Sequence, residues 1–279
     1  MALDDFKNFD AALDYERRNS KGKVKPGPAL PEDIRIADTH CHIRMTANPA
    51  LSIARAAHHG FGFLMNMTDP AEDEDTDLEA LRGKIAPDAN PGTADYELLD
   101  GWEQEARGIL AGWGEPEVPL PRIRFGVGVH PHNARNWDAA KDVLFERLHD
   151  PRTACLGEIG LDYHYDLSPR PVQREVFARQ LGIAQEAGLP VSLHIREAHD
   201  EAVDILKACG VSEAGCIVHC FNLDVATLEP FLELGCHIAF GGPITFRKSW
   251  ETRVAATHVP IDRLLTETDA PYMAPEPLR

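Results

Sequence analysis

Histidines and carboxylates recur in this chain where short apolar runs stop. ADTHCH (37–42) carries Asp38, His40 and His42, and GVGVHPH (126–132) carries His130 and His132. ACLGEIGLDY (154–163) sets Glu158 between two glycines, and VSLHIR (191–196) ends on His194 and Arg196. CIVHCF (216–221) delivers His219, and LLTETDAP (264–271) delivers Glu267 and Asp269. A carboxylate such as Glu158 at the end of a buried run is costly unless something positive sits beside it. The arrangement that satisfies this is a divalent-metal site centred on Glu158, with the other run ends converging on it.

The expected ligands are His40, His42, Glu158, His194, His219 and Asp269. Six are too many for one tetrahedral ion and suit two ions that share a carboxylate. His40, His42 and Asp269 hold one ion and His194 and His219 the other, with Glu158 as the bridge. Imidazole with carboxylate suits zinc, manganese, nickel or iron, with magnesium also open, and fits an all-oxygen calcium site poorly. Two such ions about 3.5–4 Å apart clamp the attacking and leaving oxygens of a displacement and lower the pKa of a water toward neutrality. Asp269 combines ligation with acceptance of a proton, the general-base role. His130 and His132 are candidates to contact an anionic group of the substrate, as is Arg196.

The elements that must position these residues alternate along the chain. Extended segments at 34–43, 61–68, 122–133, 154–163, 190–196, 216–221, 236–246 and 263–271 are separated by segments long enough for a helix. The clearest helix is 171–188, where Val172, Val176, Phe177, Leu181 and Ala184 recur at helical spacing between Pro171 and Gly188. Others are expected at 50–57, 137–149, 201–210, 225–235 (through Pro230) and 249–256. Eight strands alternating with helices predict a parallel sheet closed as a (β/α)8 TIM-type barrel. An open doubly wound sheet cannot bring six strand ends to one point.

Strand alternation places Asp38, His40 and His42 on one face, and Glu267 and Asp269 on one face. It turns Cys41 and Cys220 away from the ligands. His58 and His59 read as a helix C-terminus, not as ligands. The GlyGlyPro loop after 240 offers backbone N–H groups to a phosphate. Residues 1–33 form an N-terminal extension, and 34–279 form the barrel with an enlarged insertion at about 70–123. That insertion opens on an acidic run, read as a solvated helix start, and holds Trp102 and Trp113, read as a short helix pair over the barrel.

The net charge of −17 excludes a broad basic face for long duplex DNA or an anionic membrane. No stretch approaches the roughly 18 apolar residues of a membrane span, and the acidic N-terminus is no signal peptide. Six cysteines without a CxxC pair fit reduced core thiols in a cytoplasmic protein. Composition offers no interface, so a monomer is expected.

DTHCH, GVHPH, GEIGLDY, LHIREA, HCF, GGPITF and TETDAPYMAP resemble, in order and spacing, the motifs of the TatD-like metal-dependent hydrolases of the amidohydrolase superfamily. The likeness covers about residues 34–69 and 123–277. It implies a divalent-metal (β/α)8 hydrolase, with deoxyribonuclease activity as the one usually assigned. It also implies a place for His130 in the pocket and for Glu267 beside the terminal ligand, Asp269. Two departures stand out. The 1–33 extension and the 70–123 insertion exceed the usual pattern. The chain also stops at ProGluProLeuArg, before the basic segment and last helix that the resemblance leads one to expect. The leading expectation is a deoxyribonuclease trimming single-stranded DNA; the alternative is a same-scaffold hydrolase of a small ester, amide or phosphoester.

Overall fold

The computed structural model describes residues 17–18, 24–25, 34–72 and 90–276. Of the 1–33 extension this includes only a two-residue antiparallel ladder, Arg17–Arg18 with Val24–Lys25. Most of the acidic run of the insertion lies outside the described residues.

The barrel strands are β1 (Ile36–Cys41), β2 (Phe61–Thr68), β3 (Arg122–Val127), β4 (Thr153–Asp162), β5 (Val191–Arg196), β6 (Cys216–Val218), β7 (His237–Phe240) and β8 (Leu264–Thr266). They lie side by side in chain order, every pair parallel. β8 returns to β1 through a parallel bridge between Cys41 and Ala270, with Asp269 N donating to His40 O and His42 N donating to Ala270 O, both at 2.8 Å. The helices between them are α1 (Pro49–His58), α2 (Asp95–Gly112), α3 (Trp137–Leu148), α4 (Arg170–Ala187), α5 (His199–Cys209), α6 (Val225–Glu233) and α7 (Trp250–His258). This is the expected (β/α)8 arrangement, with seven barrel helices among the described residues.

Parallel strands covered by helices are buried on both faces and read as near-continuous apolar runs. In β4 every residue from Cys155 to Asp162 is buried. Leu156, Ile159 and Leu161 pack with Phe177 and Leu181 of α4 and Leu193 of β5. On the other side of the barrel, Ile53 of α1, Leu99 and Leu110 of α2 and Phe125 of β3 form a second cluster.

Several expectations need correction. The helix pair in the insertion is, among the described residues, one helix of 18 residues, α2, with Trp113 at its C-cap. Trp102 and Trp113 both pack on the second cluster. α2 runs through Gly101 and Gly108, where an added Cβ would meet nothing within 4 Å. Strands β1, β6 and β8 are shorter than expected, so His42, His219, Glu267 and Asp269 lie beyond the extended segments. The backbone bends there instead of alternating: Cys220 and Asp269 have φ of 49° and 55°. Consequently Cys220 lines the central cavity, whereas Cys41 turns away and its thiol faces Met65 O at 3.3 Å. In the GlyGlyPro loop a Cβ at Gly242 would meet Met273 O at 1.7 Å, and neither Gly241 nor Gly242 lines the central cavity. Glycine stands there for backbone packing. All six cysteines are free.

Candidate metal centre

Glu158 is the hub of the mouth. Its Oε1 lies 2.7 Å from His194 Nδ1, 2.8 Å from His219 Nε2 and 3.8 Å from His130 Nε2. Its Oε2 lies 3.3 Å from His40 Nε2. Asp269 Oδ1 completes the ring at 3.4 Å from His42 Nε2 and 3.9 Å from His40 Nε2. The six expected ligands therefore meet at one place, each delivered at the C-terminal end of its strand, the end where barrel enzymes carry their chemistry.

Local sequence explains the delivery. β4 runs through Gly160 to Asp162; the residue is glycine because a Cβ there would lie 2.0 Å from His194 O, at φ 145°. That close approach presses β4 against β5 and brings Glu158 to His194. At the barrel seam Asp38, on the same strand as His40, bonds backbone and the Thr268 hydroxyl. Its Oδ1 accepts from His40 N at 3.2 Å and Thr268 N at 2.9 Å, and its Oδ2 accepts from the Thr268 hydroxyl at 2.6 Å. Asp38 thus fixes the backbones that carry His40 and Asp269.

Charge balance keeps the carboxylates ionised. Burial alone would raise the Glu158 carboxyl, but the imidazoles of His219, His40, His194 and His130 hold it well below the ordinary range. Asp269 is likewise held low, against burial, by its bond to His42 and by His219 and His40. Burial and the neighbouring His194 push His130 well down, so that ring is neutral. Its Nδ1 accepts from His132 N at 3.2 Å, which puts the proton on Nε2, facing the cavity.

The donors fit a metal. His40 Nε2 is buried and lacks a hydrogen-bond partner. Its separations from Glu158 and Asp269, and that of His42 from Asp269, resemble the roughly 3.3 Å between two ligands of one tetrahedral ion with bonds near 2.0–2.1 Å. His40–His42–Glu158, His40–His219–Asp269 and Glu158–His194–His219 each bring three donors within 4.8 Å of one another.

The remaining expected residues divide. His130, His132 and Arg196 line the cavity of about 770 Å³ above the cluster. Glu267 does not: its Oε1 accepts from Cys220 N at 2.5 Å and lies 3.6 Å from His219 Nδ1, behind that ring. His58 is remote and pairs with Glu115 at 2.8 Å. The residue missed from sequence is Asp162. Its Oδ2 takes His132 Nε2 at 2.9 Å and His194 Nε2 at 3.0 Å, holding two imidazoles at once. The signal was available, since Asp162 lies four residues beyond Glu158 on the same face of β4.

A family model described as TatD related DNase matches residues 37–279. The chain belongs to the TatD family. Over 219 residues it is 39% identical to a Bacillus subtilis protein named uncharacterized metal-dependent hydrolase YabD, covering 75% of this chain and 80% of that one. It is also 39% identical over 225 residues to the 3'-5' ssDNA/RNA exonuclease TatD of Pectobacterium atrosepticum, covering 78% and 82%. For the Escherichia coli relative YcfH the match is 40% over 157 residues, and the chain spans 59% of that protein. Among solved structures, the TatD homologue YJJV of Escherichia coli superposes with a TM-score of 0.62 at 26% identity, over 86% of this chain and 80% of that one. YabD and YcfH carry metal-dependent hydrolysis in their names, and the Pectobacterium relative carries exonuclease activity in its own.

Proposed function

We infer that this TatD protein is a divalent-metal-dependent nuclease that shortens single-stranded DNA or RNA from an end. The observation that carries the reading is the convergence of four imidazoles and the Asp269 carboxylate around Glu158 at the C-terminal mouth of the barrel. In this reading His40, His42 and Asp269 hold one ion, His194 and His219 a second, and Glu158 is shared between them. Bound there, divalent ions supply the positive charge that a phosphodiester attracts in an otherwise acidic chain, and they acidify water.

The chain's own residues supply the rest. Asp269, ionised and at the cavity wall, accepts the proton of the attacking water. The Nε2–H of His130 points a neutral donor at a phosphate oxygen. His132, held by Asp162, marks the same side of the cavity. Glu267 is a positioning residue acting through His219, not a group that touches substrate. Relatives named as 3'-5' exonucleases on single-stranded DNA and RNA support the substrate class.

The test is an end-labelled single-stranded oligonucleotide incubated with the protein and manganese or zinc, against a matched blunt duplex and a small carboxylic ester. Stepwise shortening of the single strand, abolished by a chelator and restored by metal, is the expected result. Hydrolysis of the ester with both oligonucleotides intact would overturn the nuclease reading.

A further inference from the structure

Nine large apolar side chains stand exposed among the described residues, and four of them ring the mouth of this one cavity: Tyr165 (54% exposed), Leu167 (52%), Tyr272 (50%) and Met273 (39%). They come from opposite sides. Tyr165 and Leu167 follow β4, Tyr272 and Met273 follow β8, and the fourth and eighth strands face each other across an eight-stranded ring. Apolar surface gathered at a reaction mouth marks a ligand that covers it.

Both tyrosines rest on cavity side chains. The Tyr165 ring carries the Arg196 guanidinium 4.6 Å from its centroid and meets His132 edge-on at 5.5 Å. Across the mouth Tyr272 meets His42 edge-on at 5.7 Å, and its hydroxyl lies 3.1 Å from Met45 Sδ. One rim therefore offers a Tyr–Arg pair and the other a Tyr–Met surface; Tyr272 touches the candidate ligand His42, and Tyr165 touches His132, which shares Asp162 with the candidate ligand His194.

The charge of the lining decides what these surfaces hold. Among the described residues, six carboxylates line the cavity, against Arg196 as the one lysine or arginine. Away from the phosphate at the metals, a nucleic-acid backbone meets no basic groove here, so affinity has to come from the bases. Base–aromatic stacking supplies it at about 1–3 kcal/mol per base, whatever the sequence.

We propose that Tyr165, backed by Arg196, and Tyr272 each stack an unpaired base, one on either side of the scissile phosphate. The proposal rests on the nuclease reading and sharpens it: these side chains select strands whose bases are free to leave the helix. A blunt duplex cannot supply two unstacked bases, whereas a frayed or overhanging end can.

The experiment compares wild type, Tyr165→Ala and Tyr165→Phe on two single-stranded oligonucleotides. One is unmodified; the other carries abasic tetrahydrofuran residues flanking the cleaved bond. Tyr165→Ala should raise KM on the unmodified strand about tenfold or more with kcat little changed, while Tyr165→Phe stays near wild type. On the abasic strand wild type should already show the raised KM, and Tyr165→Ala should add nothing. An unchanged KM for Tyr165→Ala on the unmodified strand, or an equal loss on both strands, would overturn the stacking proposal and leave the nuclease reading intact. Failure of wild type to cleave either oligonucleotide would overturn both.

Discussion

Asp162 holds the two imidazoles that face each other across one side of the mouth. A carboxylate bonded to the far nitrogen of a ligating histidine fixes its tautomer and orientation, and removing one commonly lowers metal affinity or activity 10–100-fold, as an order of magnitude. Asp162→Ala should therefore lower kcat by roughly that factor and weaken metal uptake. His58→Ala, made at the last residue of α1, where the ring meets Glu115, His59 and Trp113, should stay near wild type; equal losses in the two variants would mean the active face is misplaced. A second titration lies in the cavity wall. Burial, the largest influence, pushes His199 from its ordinary 6.5 to about 4. Its folded value is below the unfolded one, so its contribution to stability is whole above about pH 6.5 and is lost as pH falls toward 4. Urea midpoints measured from about pH 7 down to about 5 should fall more steeply in wild type than in His199→Asn. Identical slopes would contradict the burial of a neutral ring. The six residues that meet at the mouth were legible in the sequence because each closes an apolar run. Asp162 was overlooked although it lies within the expected strand, because its partners, His132 and His194, come from other strands and spacing does not announce such a contact.

At the scale of elements, α4 shows what periodicity hides. The apolar stripe Val176, Phe177, Leu181 and Ala184 is buried as expected, but so are Gln173 and Gln180, seven residues or about two turns apart on the same face. Gln180 accepts from Val129 N at 2.8 Å and donates to Val129 O at 3.0 Å. Gln173 does the same for Asp162, at 2.8 and 3.1 Å. The helix thus clamps the ends of β3 and β4, one just before His130 and the other at the carboxylate that holds His132. Gln180→Ala leaves two buried backbone groups unpaired and should cost about 1–3 kcal/mol, read as a lower urea midpoint at unchanged slope. A neutral effect would show that water replaces the amide. A polar residue in an apolar stripe reads as surface from sequence. Its partner here is loop backbone, which no spacing announces. Strand lengths were misjudged for a related reason: the ends of β6 and β8 leave the extended conformation to aim His219 and Asp269, and apolar composition continues past the point where the ladder stops.

For the whole molecule, the barrel was readable because eight apolar runs alternate with helical segments and only a closed ring brings six strand ends together. The crossover between β2 and β3 was less readable. Asp95, at the first residue of α2, is bonded to Asn66 Nδ2 at 2.7 Å and Arg44 Nε at 2.8 Å, contacts from distant segments that tie the helix to the barrel. The net charge of −17 and the acidic cavity make sense together if divalent cations, not lysines and arginines, meet the substrate's phosphate. Everything then depends on Glu158 joining two ions. Metal analysis of the purified protein tests this directly, with wild type and Glu158→Ala compared side by side and folding checked by circular dichroism. The account requires about two equivalents in wild type, falling well below about one in the folded variant. A single equivalent that survives Glu158→Ala would contradict the shared-carboxylate centre.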